Sequence, residues 1–144
     1  MEISVKSEYA LRAVFDLSCR EGPQPVKIAE IAARQGIPQK FLELILSQLK
    51  QGGFLGSRRG AEGGYFLARP AETITVGDVS RHVDGPISPA RQQMRHSFPP
   101  DSPFPELWGQ VEEALSSVLD QTTFADLVAR WREKSTLQVA NWQI

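Results

Sequence analysis

Residues 58–70 read RRGAEGGYFLARP, and the meaning of this glycine-rich run decides the fold. Glycines beside arginines suit two chemistries: a loop that cradles nucleotide phosphates, or the tip of a β-hairpin laid against nucleic acid. The phosphate loop G-x-x-x-x-G-K-[ST] needs a lysine for the phosphates and a hydroxyl for magnesium, and GAEGGYF supplies neither. The dinucleotide fingerprint needs a helix after its glycines, whereas YFLARP reads as an extended stretch stopped by proline. FLGSRRG (54–60) and GGYFLARP (63–70) are therefore expected to pair as a hairpin. Gly60, Gly63 and Gly64 permit positive φ in its turn and close backbone approach to a partner. Arg58 and Arg59 stand just before the tip, where a guanidinium can reach phosphate or enter a narrow minor groove.

What precedes the hairpin gives it meaning. SEYALRAVFDLSCRE (7–21) places Tyr9, Ala10, Ala13, Val14 and Leu17 at helical spacing, with Ser7 as the expected N-cap. VKIAEIAARQG (26–36) predicts a short helix with Ile28, Ile31 and Ala32 inward and Gly36 at its C-cap. IPQKFLELILSQLKQGG (37–53) follows at once, with Pro38 in its first turn and Phe41, Leu42, Ile45 and Leu49 as its buried stripe. Two helices joined through a glycine-centred turn describe a helix-turn-helix. Followed directly by a hairpin, that motif is a winged helix-turn-helix. Its recognition helix, 38–50, would offer Gln39, Lys40, Glu43 and Ser47 to DNA, with Leu44 beside them. Lys6, Arg12 and Lys27 are candidates for phosphate contact, although each alone also reads as a solvated charge.

Downstream, TITVGDVSRHVDG (73–85) predicts another short helix capped by Thr75, and residues 85–106 hold six prolines and read as loop. ELWGQVEEALSSVLDQTTFADLVARWREK (106–134) reads as helical throughout. Trp108, Val111, Leu115 and Val118 are spaced 3, 4, 3, a heptad-like seam that can pack on its own domain or on a second copy. The expected organisation is a DNA-binding domain over 1–84, a loop over 85–104, dimerisation and C-terminal helices over 105–134, and a tail over 135–144. The fold class is mainly α with a small β-hairpin wing plus a long C-terminal dimerisation helix.

Composition agrees with a globular domain: 41% hydrophobic, 23% charged and a net charge of −1 over 144 residues. The charge is uneven. Residues 1–69 carry ten Lys and Arg against seven Asp and Glu, and 70–144 carry six against ten, so the anionic partner is expected on the first half. No basic segment is followed by an apolar one at the N-terminus, and the single cysteine, Cys19, has no partner within the chain. A cytoplasmic location is expected. His82 and His96 are the only histidines, and neither stands at ligand or catalytic spacing with cysteine or acid, so neither a metal site nor an enzyme is expected.

The segments ISVKSEYALRA, IAARQGIPQKFLELILSQLKQGGFL, RRGAEGGYFLARP, ITVGDV and ELW, in this order, resemble the Rrf-two type of bacterial winged-helix regulators, the family that includes IscR and CymR. The resemblance covers nearly the whole chain and implies homodimers on pseudo-palindromic operators, paired through a long helix matching 105–120. IscR-like members hold an iron–sulfur cluster on three cysteines in the loop before that helix; SPARQQMRHSFPPDSPFPE has none, so no cofactor is expected. The cluster-free loop looks closest to the CymR branch, which implies a repressor of cysteine and sulfur genes. CymR acts with cysteine synthase, so the resemblance implies that Trp142 and Ile144 of the final NWQI engage a partner enzyme; a terminus ending in isoleucine by accident is the other reading. Ser7-Glu8 and Leu44 depart from the family, which often has Gly-Arg and glutamine there. A protein-interaction module with weak DNA binding is therefore the alternative function.

Overall fold

The computed structural model describes residues 3–20, 22–87 and 98–142. Six α-helices and one two-stranded antiparallel sheet follow in the order α1 (Val5–Ser18), α2 (Ile28–Gln35), α3 (Gln39–Gln51), β1 (Leu55–Arg58), β2 (Gly64–Leu67), α4 (Val76–Asp84), α5 (Phe104–Gln121) and α6 (Phe124–Trp142). The fold is the mainly helical one with a hairpin wing that the sequence predicts.

α1 starts earlier than expected. Ser4, not Ser7, is its N-cap: the Ser4 Oγ accepts from the Ser7 amide at 3.0 Å and donates to the Asp84 carboxylate at the end of α4. Ser7 instead lies fully buried inside the helix. Ala10, Ala13, Val14 and Leu17 face the core, and the small alanines let neighbouring helices come close.

α2 is also shorter than the pattern suggested. Val26 is extended and exchanges two 2.8 Å backbone hydrogen bonds with Tyr65, so it adds a third strand segment to the wing. A β-branched residue after Pro25 is well suited to that conformation. Gly36 closes α2 in the left-handed region at φ +64°, as its place in the sequence predicts. Across the turn, Asp16 of α1 accepts two 2.9 Å hydrogen bonds from Arg34 and one from Gln35, while Arg12 reaches the Gln35 carbonyl. These polar contacts fix α2 against α1.

α3 buries Leu42, Ile45, Leu46 and Leu49. Phe41 sits at the rim rather than in the stripe, stacked edge-on against Tyr9, and Leu46 takes the inward place. Below the helix, His82 of α4 contacts the Gln48 carbonyl at 2.8 Å and stacks on Phe54. α4 carries the Thr75–Asp78 capping box that its sequence implies.

The helical stretch after the proline-rich loop divides into two helices, α5 and α6. Thr123 caps α6 through a reciprocal pair with Asp126, and Thr122–Thr123 breaks the chain between α5 and α6. Backbone bonds from Val76 to Thr122 and from Phe124 to Ile74, at 2.9 and 3.0 Å, fasten this junction to the start of α4. Phe124 is fully buried there. α6 then packs along α1, with Trp131 edge-on to Phe15, and continues as helix through 135–142, the stretch expected as a tail. Among the described residues no helix is long and apolar enough to cross a membrane.

Candidate nucleic-acid interface

The core decides what α3 offers to solvent. With Leu42, Ile45, Leu46 and Leu49 turned inward, helical periodicity places Lys40, Glu43, Leu44 and Ser47 on the opposite face, and Gln39 beside them at the helix start; all five are exposed. The rest of that face was not singled out from sequence. Gln48 and Gln51 join Lys6, Phe41, Leu44, Ile45 and Ser47 around an open groove of about 480 Å³ between α1 and α3. The i, i+4 spacing of Gln48 from Leu44 and of Gln51 from Ser47 was the available signal. Lys6 is half-buried at the groove wall, so its stem is held while its ammonium stays at the edge.

The wing is tied to α3 by a 2.6 Å hydrogen bond from Lys50 Nζ to Ser57 Oγ. Its register pairs Leu55 with Leu67 and Arg58 with Gly64. Arg58, Arg59 and Gly60 are exposed at the tip. Gly63 and Gly64 have a different environment. A Cβ on Gly63 would stand 2.2 Å from the Arg58 carbonyl, and one on Gly64, at φ +152°, would stand 2.4 Å from the Val26 carbonyl. Both glycines therefore shape the hairpin from inside, and only Gly60 presents open backbone.

Lys27 is exposed just before α2. Arg12 is engaged within the fold, its guanidinium over the Tyr9 ring and bonded to the Gln35 carbonyl. Glu8 is exposed in the first turn of α1, where a carboxylate favours the helix N-terminus.

α5 contains no fully buried residue along its 18 positions. Trp108, Val111 and Leu115 are half-buried and Val118 is 65% exposed, with Phe104 and Leu107 exposed nearby. The helix is anchored to the domain by a bidentate ion pair, Arg81 to Asp120 at 2.6 and 2.8 Å. That pair holds the Asp120 carboxyl below its ordinary range. Trp142 is 89% exposed at the end of α6, and Ile144 and His96 lie outside the described residues.

Cys19 is half-buried at the end of α1, and burial followed by the neighbouring Asp16 pushes its thiol above the ordinary 9.0. A reactive thiol needs the opposite shift. Among the described residues no three His, Cys, Asp or Glu side chains come together as a metal site.

A family model described as iron-dependent transcriptional regulator, Rrf2, matches residues 3–130. A helix-turn-helix-type transcriptional regulator of Mycobacterium tuberculosis is 37% identical over 144 residues, covering 98% of this chain and 89% of the relative. The structure of CymR, the global cysteine regulator of Bacillus subtilis, superposes with a TM-score of 0.80 at 34% identity, over 90% of this chain and 98% of that one. IscR of T. potens superposes with a TM-score of 0.79, also at 34% identity, over 93% and 90%. Identity and shape thus lie equally near the two branches.

Proposed function

We propose, on the premise that the chain belongs to the Rrf2 family of transcriptional regulators, that it works as a homodimeric repressor of cysteine and sulfur metabolism genes and does so without an iron–sulfur cluster. An Rrf2 regulator is a DNA-binding protein and not an enzyme. The observation that carries the reading is the exposed polar face of α3, left free by the core and joined through Lys50 and Ser57 to the two wing arginines. Gln39, Glu43 and Ser47 read base edges in the major groove. Lys6, Lys27, Lys40, Arg58 and Arg59 meet phosphates or the minor groove, and Gly60 lets the wing backbone come close. Gly63 and Gly64 hold the wing in shape for that contact.

Pairing of two copies through Trp108, Val111, Leu115 and Val118 is supported by a helix that leaves none of its residues fully buried within one chain. The chain's single cysteine, with its raised thiol, does not suit an iron–sulfur centre, which is held chiefly by thiolates. Assignment to cysteine genes rests on this cluster-free composition together with the likeness to CymR. Duplexes bound by the protein, titrated at increasing salt, test the interface. Neutralising about six phosphates gives a slope of log K against log salt of about −5, and a flat dependence contradicts it.

Trp142 favours a second role alongside the first. Its indole is 89% exposed at the end of α6, with Ile144 two residues on in the sequence, a pair of apolar side chains that suits capture by a cysteine synthase-like enzyme. Deleting Ile144 should abolish binding to cysteine synthase; unchanged affinity removes this role.

A further inference from the structure

Leu44 is the one large aliphatic residue on the outward face of α3, and it is 68% exposed. Its neighbours on that face are Lys40, Glu43, Ser47 and Gln48, all polar. Helical geometry sets Leu44 about 140–160° around the axis from Leu42 and Leu49, so it has no route into the core. Nothing in the fold needs a branched apolar side chain here. An exposed leucine elsewhere on a surface is ordinary. This one stands in the middle of α3 and lines the same open groove as Phe41 and Lys6, with Lys40 exposed one helical turn before it.

Resting on the DNA-binding reading above, we infer that Leu44 is a specificity-determining residue that packs against the C5-methyl group of a thymine in each operator half-site. Among base edges in the major groove, only thymine offers an apolar group, and it is read by apolar contact rather than by hydrogen bonding. Phe41, held edge-on by Tyr9, lines the same groove and gives Leu44 an apolar neighbour there. Leucine supplies no donor or acceptor, so the position it covers is read through the methyl alone.

The test uses duplexes enriched from a random-sequence pool by the wild-type protein. Replacing the contacted thymine with uracil removes only the methyl group. Burying one methyl is worth about a fourfold change in affinity, so substitution in both half-sites should weaken wild-type binding by about fifteenfold. Leu44→Ala should bind thymine and uracil duplexes alike. Leu44→Gln should shift the selected base at that position toward adenine, whose N6 and N7 pair with an amide. Both substitutions fall on an exposed side chain, so both variants fold. Enrichment of a motif in which no thymine-to-uracil change matters, or in which Leu44→Ala keeps the full penalty, overturns this inference alone. Failure of the folded wild-type protein to enrich any motif overturns it together with the regulator reading.

Discussion

Replacing Arg34 with alanine would strip the Asp16 carboxylate, 2% exposed, of its two guanidinium hydrogen bonds while the Gln35 amide still donates to it. A buried charge stripped of its partner costs about 3 kcal/mol. Urea unfolding of Arg34→Ala should show a loss of about that size, and a loss under about 0.5 kcal/mol, the range of ordinary surface changes, would contradict it. Ser7 works in the other direction. Its hydroxyl is buried with no hydrogen-bond partner among the described residues, so Ser7→Ala should leave stability unchanged or raise it by up to about 1 kcal/mol. Cys19 makes a pH prediction. Its thiol is raised in the folded state, so its stabilising contribution is full below the unfolded thiol's pKa and lost as pH rises through the folded one. Alkylation at about pH 8 should run slower than that of free cysteine and keep accelerating past pH 9.0; a plateau reached below that would overturn the assignment of an inert thiol. These residues also mark the limit of local reading. Ser7 looked like a cap because serine precedes an apolar run, but the capping hydroxyl belongs to Ser4, which is held by Asp84 some eighty positions away.

Among the elements, the wing is the most sensitive to backbone change. Gly64→Ala sets a Cβ against the Val26 carbonyl at a φ that favours glycine, and should cost about 1–3 kcal/mol, concentrated in the hairpin. Hydrogen exchange should show the Val26 and Tyr65 amides losing protection while those of α1 and α3 keep theirs, and DNA affinity should fall with helix content unchanged. Retained protection at Val26 would show that the wing tolerates the Cβ. The hairpin, α3 and the Thr75 cap were legible because their signals are local: glycine spacing, a 3.6-residue apolar period, a hydroxyl three residues before an acid. Val26 was not. Its helical appearance yields to pairing with Tyr65, a partner 39 positions on, and no window around residue 26 contains that partner. The exchange of Phe41 for Leu46 in the buried stripe has the same origin, because Tyr9 of α1 stacks on Phe41 and holds it at the rim.

For the molecule as a whole, Phe124 is the point at which the C-terminal helices join the DNA-binding domain. It is fully buried, and Phe124→Ala should lower stability by about 3–5 kcal/mol. α5 carries the proposed dimer seam of Trp108, Val111, Leu115 and Val118. The double variant Leu115→Glu with Val118→Glu changes side chains that are not fully buried, so it should stay folded and sediment as a monomer; a persistent dimer would move the interface elsewhere. The heptad spacing of α5 was readable, and the family resemblance implied a long helix over 105–120; the pinning of the break at Thr122–Thr123 was not readable, since it rests on bonds to Ile74 and Val76. The central claim is that two copies present α3 and the wing to DNA in one symmetric arrangement. Its most direct test is to incubate the purified protein with random-sequence duplexes at low salt and sequence the bound fraction. The account predicts enrichment of a single two-fold symmetric motif with half-sites set by one helical turn or a multiple of it, about 10 base pairs or a multiple. A folded protein that enriches no motif would contradict it.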